Sequence, residues 1–537
     1  MLPHLRRHHL ALLVLVLLSA GCGPEAESTE IAVSAEPVAG GVLHYAQIAP
    51  SSLDPAIVID SFNAAIVNMV HAGLLRHDEN FGIRPDVARS WKIGDDGLVY
   101  RFVLRDDVEF HDGRPVEAAD VVHSLQRVFD LDPESSELGR QYLGVIEGTE
   151  VYARGEAESV SGLRVLGTHE LEIRLARPYA AFLNVMASEF ARIVPRPATD
   201  ATSTDVSIGC GPFALEAWEP GDRLSLRRHD AYHDGTVALD GVVIHTPDTH
   251  TSTFARKAFA AGELDLIELT TAGTEDVDGL PDVTLHHRLE LSLTFLAFTT
   301  DRPPFDDVRV RRAVAHAIEL GPSDGIDPVR KPIATGVLPP GFPGHQPVDK
   351  RLKHDLEIAR SLVESAGPLE RPIRVGVARR GPAFERAALA VCDQIGALGY
   401  EVEPQILDWA AFSEGLRSGA FDAFFLTWVA DLPDADSFFY PLFHSEGSVN
   451  YLRYADTRVD AWLQTARGEV DQSRRLELYR RTERHVLQNA VIVPLHFNST
   501  QIAVRNAVKN FEITSMGGAQ LRLESVWMDP GAEGAAR

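Results

Sequence analysis

The sequence predicts α/β domains of open-sheet type, and three observations carry that prediction. Strand and helix patterns are mixed along the whole length. Between Ile373 and Trp428 they alternate regularly, strand, helix, strand, helix, strand, as a βαβ series does. The chain has 537 residues at 45% apolar composition, too long for one core and sufficient for two or three. Ligands in such architectures sit in crevices between domains.

The first elements are not part of that body. Arg6 and Arg7 form a basic start and Leu10 to Leu18 an apolar run. Leu18-Ser19-Ala20-Gly21-Cys22 places small residues before a cysteine. This is a secretory signal over residues 1–21. Its apolar run is about half of the roughly 20 residues that a spanning helix needs. The small-small-Cys ending resembles the bacterial lipoprotein signal, in which the cysteine becomes the acylated N-terminus, so Cys22 is the expected lipidation site. Gly23-Pro24-Glu25-Ala26-Glu27-Ser28-Thr29-Glu30 then opens a flexible tether, taken to residue 37.

The body opens with a strand at Gly41–Ala46 and a Leu53-Asp54-Pro55 turn. A helix is expected from Ser61 to about Leu75, where Phe62, Ile66, Met69, Val70 and Leu74 recur at spacings of three and four. Leu98 to Leu104 alternates as a half-exposed strand, and a helix runs from Val121 to Phe129. Leu171–Leu175 and Leu224–Leu226 are strands. Thr251–Ala261 and Val310–Leu320 are helices, and Asp355–Ala366 is a helix stopped by Gly367. The βαβ series follows as strand 373–377, helix 384–398, strand 400–407, helix 412–416 and strand 421–428. A helix over Asp471–Gln488 precedes a last strand, Val491–Leu495.

Charge excludes one large class of partner. The chain has 51 Lys and Arg against 77 Asp and Glu; without residues 1–21, which hold only Arg6 and Arg7, the balance is 49 against 77, or −28. Nucleic acid needs clustered cations, and so does an anionic membrane surface bound through the protein itself. Besides Cys22 there are only Cys210 and Cys392, 182 residues apart; they are either a long-range disulfide or two buried thiols. Histidine is frequent, at 21 residues, yet no Cys/His spacing fits a metal, so no metal and no cofactor are expected. P-loop, dinucleotide, nucleophile-elbow and zinc-hydrolase motifs are absent. Asp95-Asp96-Gly97 and His111-Asp112-Gly113 suggest acid/base chemistry at first sight, but they read as turns.

A set of motifs in fixed order carries a resemblance. Arg84-Pro85-Asp86-Val87-Ala88-Arg89-Ser90-Trp91 is followed by Asp95-Asp96-Gly97-Leu98-Val99-Tyr100-Arg101-Phe102, then by Phe110-His111-Asp112-Gly113-Arg114-Pro115-Val116 and Ala119-Asp120-Val121-Val122. Gly209-Cys210-Gly211-Pro212-Phe213, Val308-Arg309-Val310-Arg311-Arg312-Ala313 and Trp428-Val429-Ala430-Asp431-Leu432-Pro433-Asp434 complete the series. Across nearly the whole body the chain resembles the family 5 bacterial extracellular solute-binding proteins, the peptide, dipeptide and nickel group.

That resemblance implies a periplasmic binding protein type II-like fold of three lobes, working as two halves that close on a ligand. Lobe I would combine residues 38–82, 205–298 and 499–530; lobe II would be 83–204 and lobe III 299–498. It implies no catalysis and no cofactor. It further implies a monomer that captures a short peptide and delivers it to the transmembrane subunits of an ABC permease, held to a membrane by its N-terminal lipid. The alternatives are a non-peptide solute such as a nickel chelate, haem or an opine, an exported hydrolase built on Asp431 and Asp434, or a lipoprotein that binds another protein.

Site residues follow by the same route. Asp431 matches the aspartate that pairs with a peptide's α-ammonium; the plain alternative is a turn or helix cap. Trp428 and Trp409 are candidate cleft walls or core. Arg379 or Arg380 stands where dipeptide-binding members place a carboxylate-pairing arginine. Asn450 resembles a cleft asparagine or is a turn residue. Ala423-Phe424-Phe425-Leu426 lacks the arginine that longer-peptide members carry before the Trp motif.

Overall fold

The structure is a computed structural model that describes residues 37–58, 60–197, 204–247, 251–269, 277, 280–321, 331–347, 351–515 and 521–531. The signal, Cys22 and the tether up to residue 36 lie outside the described residues.

Three sheets organise the body. The first has seven strands in the order Val283–Leu289, Ser499–Arg505, Leu266–Glu268, Val42–Ala46, Gly241–His245, Arg223–Arg228 and Phe213–Glu219. Val42–Ala46 lies parallel to both of its neighbours, and the remaining pairings are antiparallel. The second sheet is antiparallel, in the order Ala88–Ile93, Val99–Leu104, Glu170–Arg174, Leu163–Gly167. Its alternation is as the sequence reads: Tyr100, Phe102 and Leu104 are buried, while Val99, Arg101 and Val103 face outward.

The third sheet runs Val402–Leu407, Ile373–Ala378, Ala423–Val429, Ser292–Phe298, Ile492–His496. Its first three strands are parallel and the other two antiparallel. Helices Pro382–Gly396 and Trp409–Ser418 make the crossovers. Pro494 is tolerated inside the last strand because that strand is an edge.

One boundary shifts. The segment up to 298 reads from sequence as part of the first lobe, but Ser292–Phe298 is buried at all seven positions and pairs over its full length with Ala423–Val429. Leu293, Phe295 and Ala297 enter the core on one face of the third sheet, and Leu296 and Phe298 the core on the other. A strand apolar on both faces needs layers on both sides, which a central position supplies. The chain therefore passes between the first and third sheets at Glu290-Leu291, and returns at Phe497-Asn498. The two crossings are bonded together: Glu290 N–H donates to Asn498 O at 3.0 Å, Asn498 Nδ2 to Ser292 Oγ at 2.8 Å, and Thr500 Oγ1 to Glu290 Oε1 at 2.9 Å.

A second difference is the helix expected to reach Leu75. It spans Ser61–Val70, capped by Asp60. Beyond it the chain extends, Gly73 bridges to Arg192, and Leu75–His77 pairs with Ile83–Pro85. Cys210 and Cys392 are both free thiols. They lie in different cores, and burial pushes each up to about 12.

The turn Gly209-Cys210-Gly211-Pro212-Phe213 ties the end of helix Ser61–Val70 to the loop at His111. Gly211 N–H donates to Val70 O at 2.9 Å, and His111 N–H donates to Gly209 O at 2.8 Å. The backbones are close enough that a Cβ on Gly209 would stand 2.0 Å from the Val70 carbonyl oxygen, and one on Gly211 2.6 Å from that of Met69. Gly209→Ala and Gly211→Ala should each lower stability by about 2 kcal/mol or more, since buried backbone cannot yield as a side-chain end can. Urea unfolding followed by tryptophan fluorescence measures this.

Candidate functional site

Among the three parallel strands of the third sheet the chain lays down Ile373–Ala378 in the middle, then Val402–Leu407 on one side, then Ala423–Val429 on the other. The strand order reverses at Ile373–Ala378. In open α/β sheets the crevice beyond the carboxyl ends at such a reversal is where ligands bind. Arg379-Arg380, Asp408-Trp409 and Ala430-Asp431 each directly follow one of these three ends.

Arg379 continues the strand through its backbone, donating N–H to Leu407 O at 2.7 Å. Arg380 is the better placed of the two arginines. Its guanidinium stands 5.6 Å from the ring centre of Trp409 and 5.9 Å from that of Phe384. Such stacking orients a guanidinium while leaving its edge available for a carboxylate. Trp409 opens helix Trp409–Ser418, which Asp408 caps, and it is 56% exposed, so it is not core. Trp428 is half-buried, and its Nε1–H donates to Ser437 O at 2.8 Å, which makes it a strut of the loop that follows.

Asp431 begins that loop. Its N–H donates to Ser437 Oγ at 3.0 Å, and its Oδ2 accepts from the Tyr142 hydroxyl at 2.8 Å. Burial pushes the carboxyl up to about 6; the Tyr142 bond opposes the shift and the nearby Glu189 charge adds to it. Tyr142 belongs to helix Glu137–Leu143, packs in the core of the second sheet and stacks on Phe190 at 5.4 Å. It is 289 residues away in sequence, and no motif around it marks it.

Asp434 is not a second acid beside Asp431. Arg475 Nη1 and Nη2 donate to its two oxygens at 2.7 and 2.6 Å, all buried. Asp434 Oδ1 also accepts from Asp436 N–H at 2.9 Å. The paired-carboxylate argument for a hydrolase therefore falls away. Asp436 bonds Tyr479 and the Tyr179 hydroxyl at 3.1 and 3.2 Å and lies 3.1 Å from Arg467 Nε. A cavity of about 370 Å³ adjoins this contact, lined by Tyr142, Arg177, Tyr179, Gln464 and Arg467 among others.

Asn450 takes the turn role. Its Nδ2 donates to His444 O and Tyr454 O at 3.0 and 2.8 Å, and its Oδ1 accepts from Tyr454 N–H at 3.1 Å. Both amide hydrogens are thereby committed inside the 444–454 loop. The Asp95-Asp96-Gly97 and His111-Asp112-Gly113 turns keep Gly97 and Gly113 at φ of 66° and 82°, as their turn reading requires. Among the described residues no group of three or more His, Cys, Asp or Glu is arranged to hold a metal.

Comparison with known proteins places this geometry. A family model described as bacterial extracellular solute-binding proteins, family 5 middle, matches residues 82–450. The chain is 27% identical over 476 residues to heme-binding protein A of Haemophilus influenzae, covering 83% of this chain and 85% of that protein. It is 24% identical over 467 residues to the dipeptide-binding protein of Escherichia coli, covering 81% and 84%. The solved structure of the periplasmic binding protein DppA from Helicobacter pylori in complex with the peptide STSA superposes with a TM-score of 0.74 at 24% identity, over 92% of this chain and 99% of that one.

The Asp431 carboxyl yields an expected stability change. Its folded value of about 6 lies above the ordinary 3.8, so ionisation costs the folded state. Stability from this group is full below the unfolded value and falls as pH rises through about 6. Asp431→Asn removes the charge and keeps an acceptor for Tyr142. The ligand-free variant should be the more stable protein at pH 7.5, by on the order of 1–3 kcal/mol. The gap should close below about pH 4. Calorimetric melts across this pH range check it.

Proposed function

The chain belongs to the family 5 bacterial extracellular solute-binding proteins, and from that premise we propose that it captures short peptides and hands them to the transmembrane subunits of an ABC importer. The observation that carries the reading is Asp431: a carboxylate at a strand's carboxyl end, buried enough to be pushed up to about 6, and countered by a tyrosine hydroxyl rather than by a cation. A peptide's α-ammonium supplies the missing charge in a charge-assisted bond. Arg380, stacked on Trp409 at the end of the neighbouring strand, suits the α-carboxylate. Trp409 offers an aromatic face to the peptide between them. A non-peptide solute is the second reading, favoured by the likeness to a heme-binding relative and by the exposed Trp409 face.

In this reading the lobes are residues 38–82 with 205–289 and 499–531, residues 83–204, and residues 291–498. The bonded crossings at Glu290-Leu291 and Phe497-Asn498 are the hinge, two strands wide, about which the halves close. The sequence at residues 1–22 supports export and acylation at Cys22, with the tether holding the body to a membrane.

Native mass spectrometry of the protein, purified without refolding and then denatured to release its cargo, tests the assignment. Peptides of a few residues are expected; a single non-peptide mass would remove Asp431 from its ammonium-binding role. Proton linkage provides a separate check. Near pH 6 about half of the Asp431 population is protonated, and an incoming ammonium favours the carboxylate. Binding at pH 6 should release about half a proton per peptide, and close to none at pH 7. At pH 8 it should turn to uptake of about half a proton, as the free α-amino group, at about 7.7–8.0, takes on its proton to bind; calorimetry in buffers of different ionisation enthalpy reads this.

A further inference from the structure

The opposite end of the third sheet carries a second concentration of charge. There the amino-terminal ends of Ile373–Ala378 and Ala423–Val429 meet the carboxyl end of Ser292–Phe298. Asp422, 1% exposed, lies at this junction. Arg371 Nη1 and Nη2 donate to its two oxygens at 2.7 and 2.8 Å. Arg374 donates through its backbone N–H, Nε and Nη2 at 3.0, 3.3 and 3.2 Å. Arg302 Nε lies 3.8 Å from the same carboxylate, and its Nη2 donates to the Gly419 and Phe421 carbonyls. Burial alone would raise the Asp422 carboxyl, but the hydrogen bonds from Arg371 and Arg374 outweigh it and hold the group well below the usual carboxylate range.

The carboxylate fixes the three guanidiniums and leaves a donor on each, although Arg371, whose Nη1 and Nη2 also donate to the Pro372 and Pro303 carbonyls at 3.1 Å, keeps only its Nε–H. Arg302, Arg371 and Arg374 keep 31%, 45% and 38% of their side-chain surface exposed. Together with Pro372 and Glu403 they line an open groove of about 370 Å³. Arg371 Nε, Arg374 Nη1 and Arg302 Nη1 have no protein acceptor among the described residues. Three cations over one buried carboxylate leave two positive charges, one of them offset by Glu403. The chain as a whole is at −26, so this groove runs against its composition. Strand Ile373–Ala378 separates it from Arg380 by six residues, roughly 20 Å, so the two sites can be filled at once.

We propose that this groove binds a phosphate group, held by the outward edges of Arg302, Arg371 and Arg374. Donors left on three guanidiniums lining one groove, Nε–H of Arg371 and Nη1 of Arg302 and Arg374, match a tetrahedral oxyanion, which offers acceptors in three directions, better than a planar carboxylate with two oxygens. The phosphate comes either from a free phosphate-bearing solute or from a phospholipid headgroup.

The test uses the mature chain from residue 22 with Cys22→Ser, which lacks both the apolar run of the signal and the acyl acceptor, so that retention on lipid reports the protein surface alone. Inorganic pyrophosphate is titrated calorimetrically, and sedimentation with phosphatidylglycerol vesicles is compared with phosphatidylcholine vesicles. Saturable binding is expected, weakening as salt rises from about 0.05 to 0.5 M. Arg371→Ala should abolish it, with a melt to show whether the sheet end survives the loss of an Asp422 partner. Glu403→Gln, which disturbs no observed bond, should tighten it about threefold, the order of magnitude for one unit charge at several ångströms in water. Pyrophosphate binding without vesicle retention assigns a free solute; retention on phosphatidylglycerol alone, strengthened by Glu403→Gln, assigns the headgroup. Neither effect, or binding that Glu403→Gln leaves unchanged, overturns the proposal.

Discussion

The loop that follows strand Ala423–Val429 depends on the buried bond between Asp434 and Arg475. Both guanidinium Nη atoms reach both carboxylate oxygens, with the pair almost wholly out of water. A buried pair of this kind is weak evidence for stability, because desolvation offsets much of the attraction, but breaking it strands a charge. What it supplies here is position. Arg475 sits on the long helix Gln472–Gln488, which Asp471 caps, so the loop is tied to a rigid element rather than to another loop. Ser437, in the next helix, then receives the Asp431 N–H through its hydroxyl and the Trp428 indole through its carbonyl. Asp431 is thus aimed by neighbours that do not neutralise it.

The sheet order does the rest of the placing. Because the chain fills one side of Ile373–Ala378 and then the other, Arg380, Trp409 and Asp431 arrive at one edge from three separate stretches of sequence. The same parallel strands present their amino ends at the opposite edge, where Asp422 gathers three arginines. The two edges differ in electrostatic logic. At the carboxyl edge a carboxylate lacks a cation, and at the amino edge cations outnumber the carboxylate that binds them.

How far the sequence could be read follows from how local each signal is. The alternation of Leu98–Leu104, the helix starts at Asp355 and Asp471, which the structure makes caps, and the stop at Gly367 are decided within a few residues, and each stands within a residue of where the pattern puts it. Asp431 is singled out through a motif whose residues are contiguous, and the structure places it just after the end of strand Ala423–Val429. Ser292–Phe298 was misplaced because an apolar run states that both faces are covered but not by what. Helix Ser61–Val70 ends early because Leu74 is buried against other elements rather than on the helix stripe. Tyr142 and Arg475 carry no local mark at all; their roles exist only through contacts to residues 431 and 434. Asn450 shows the reverse case, a family-like residue whose hydrogen bonds are spent on its own loop.

In the proposed binding role, the unneutralised state of Asp431 would bear on selectivity. A carboxylate buried without a cation makes the ligand-free protein less stable than its packing would allow, and a ligand that brings a cation to that position relieves the cost as it binds. On the same proposal, a ligand of the same shape without the cation would gain the apolar contacts to Trp409 but leave the carboxylate as it was. Discrimination would then come from a group left unsatisfied in the wrong complex, which separates ligands more sharply than one extra methylene in an apolar pocket can. The tyrosine hydroxyl is suited to this role. It stabilises the carboxylate enough for the protein to fold, and being neutral it leaves the charge itself for the ligand to answer.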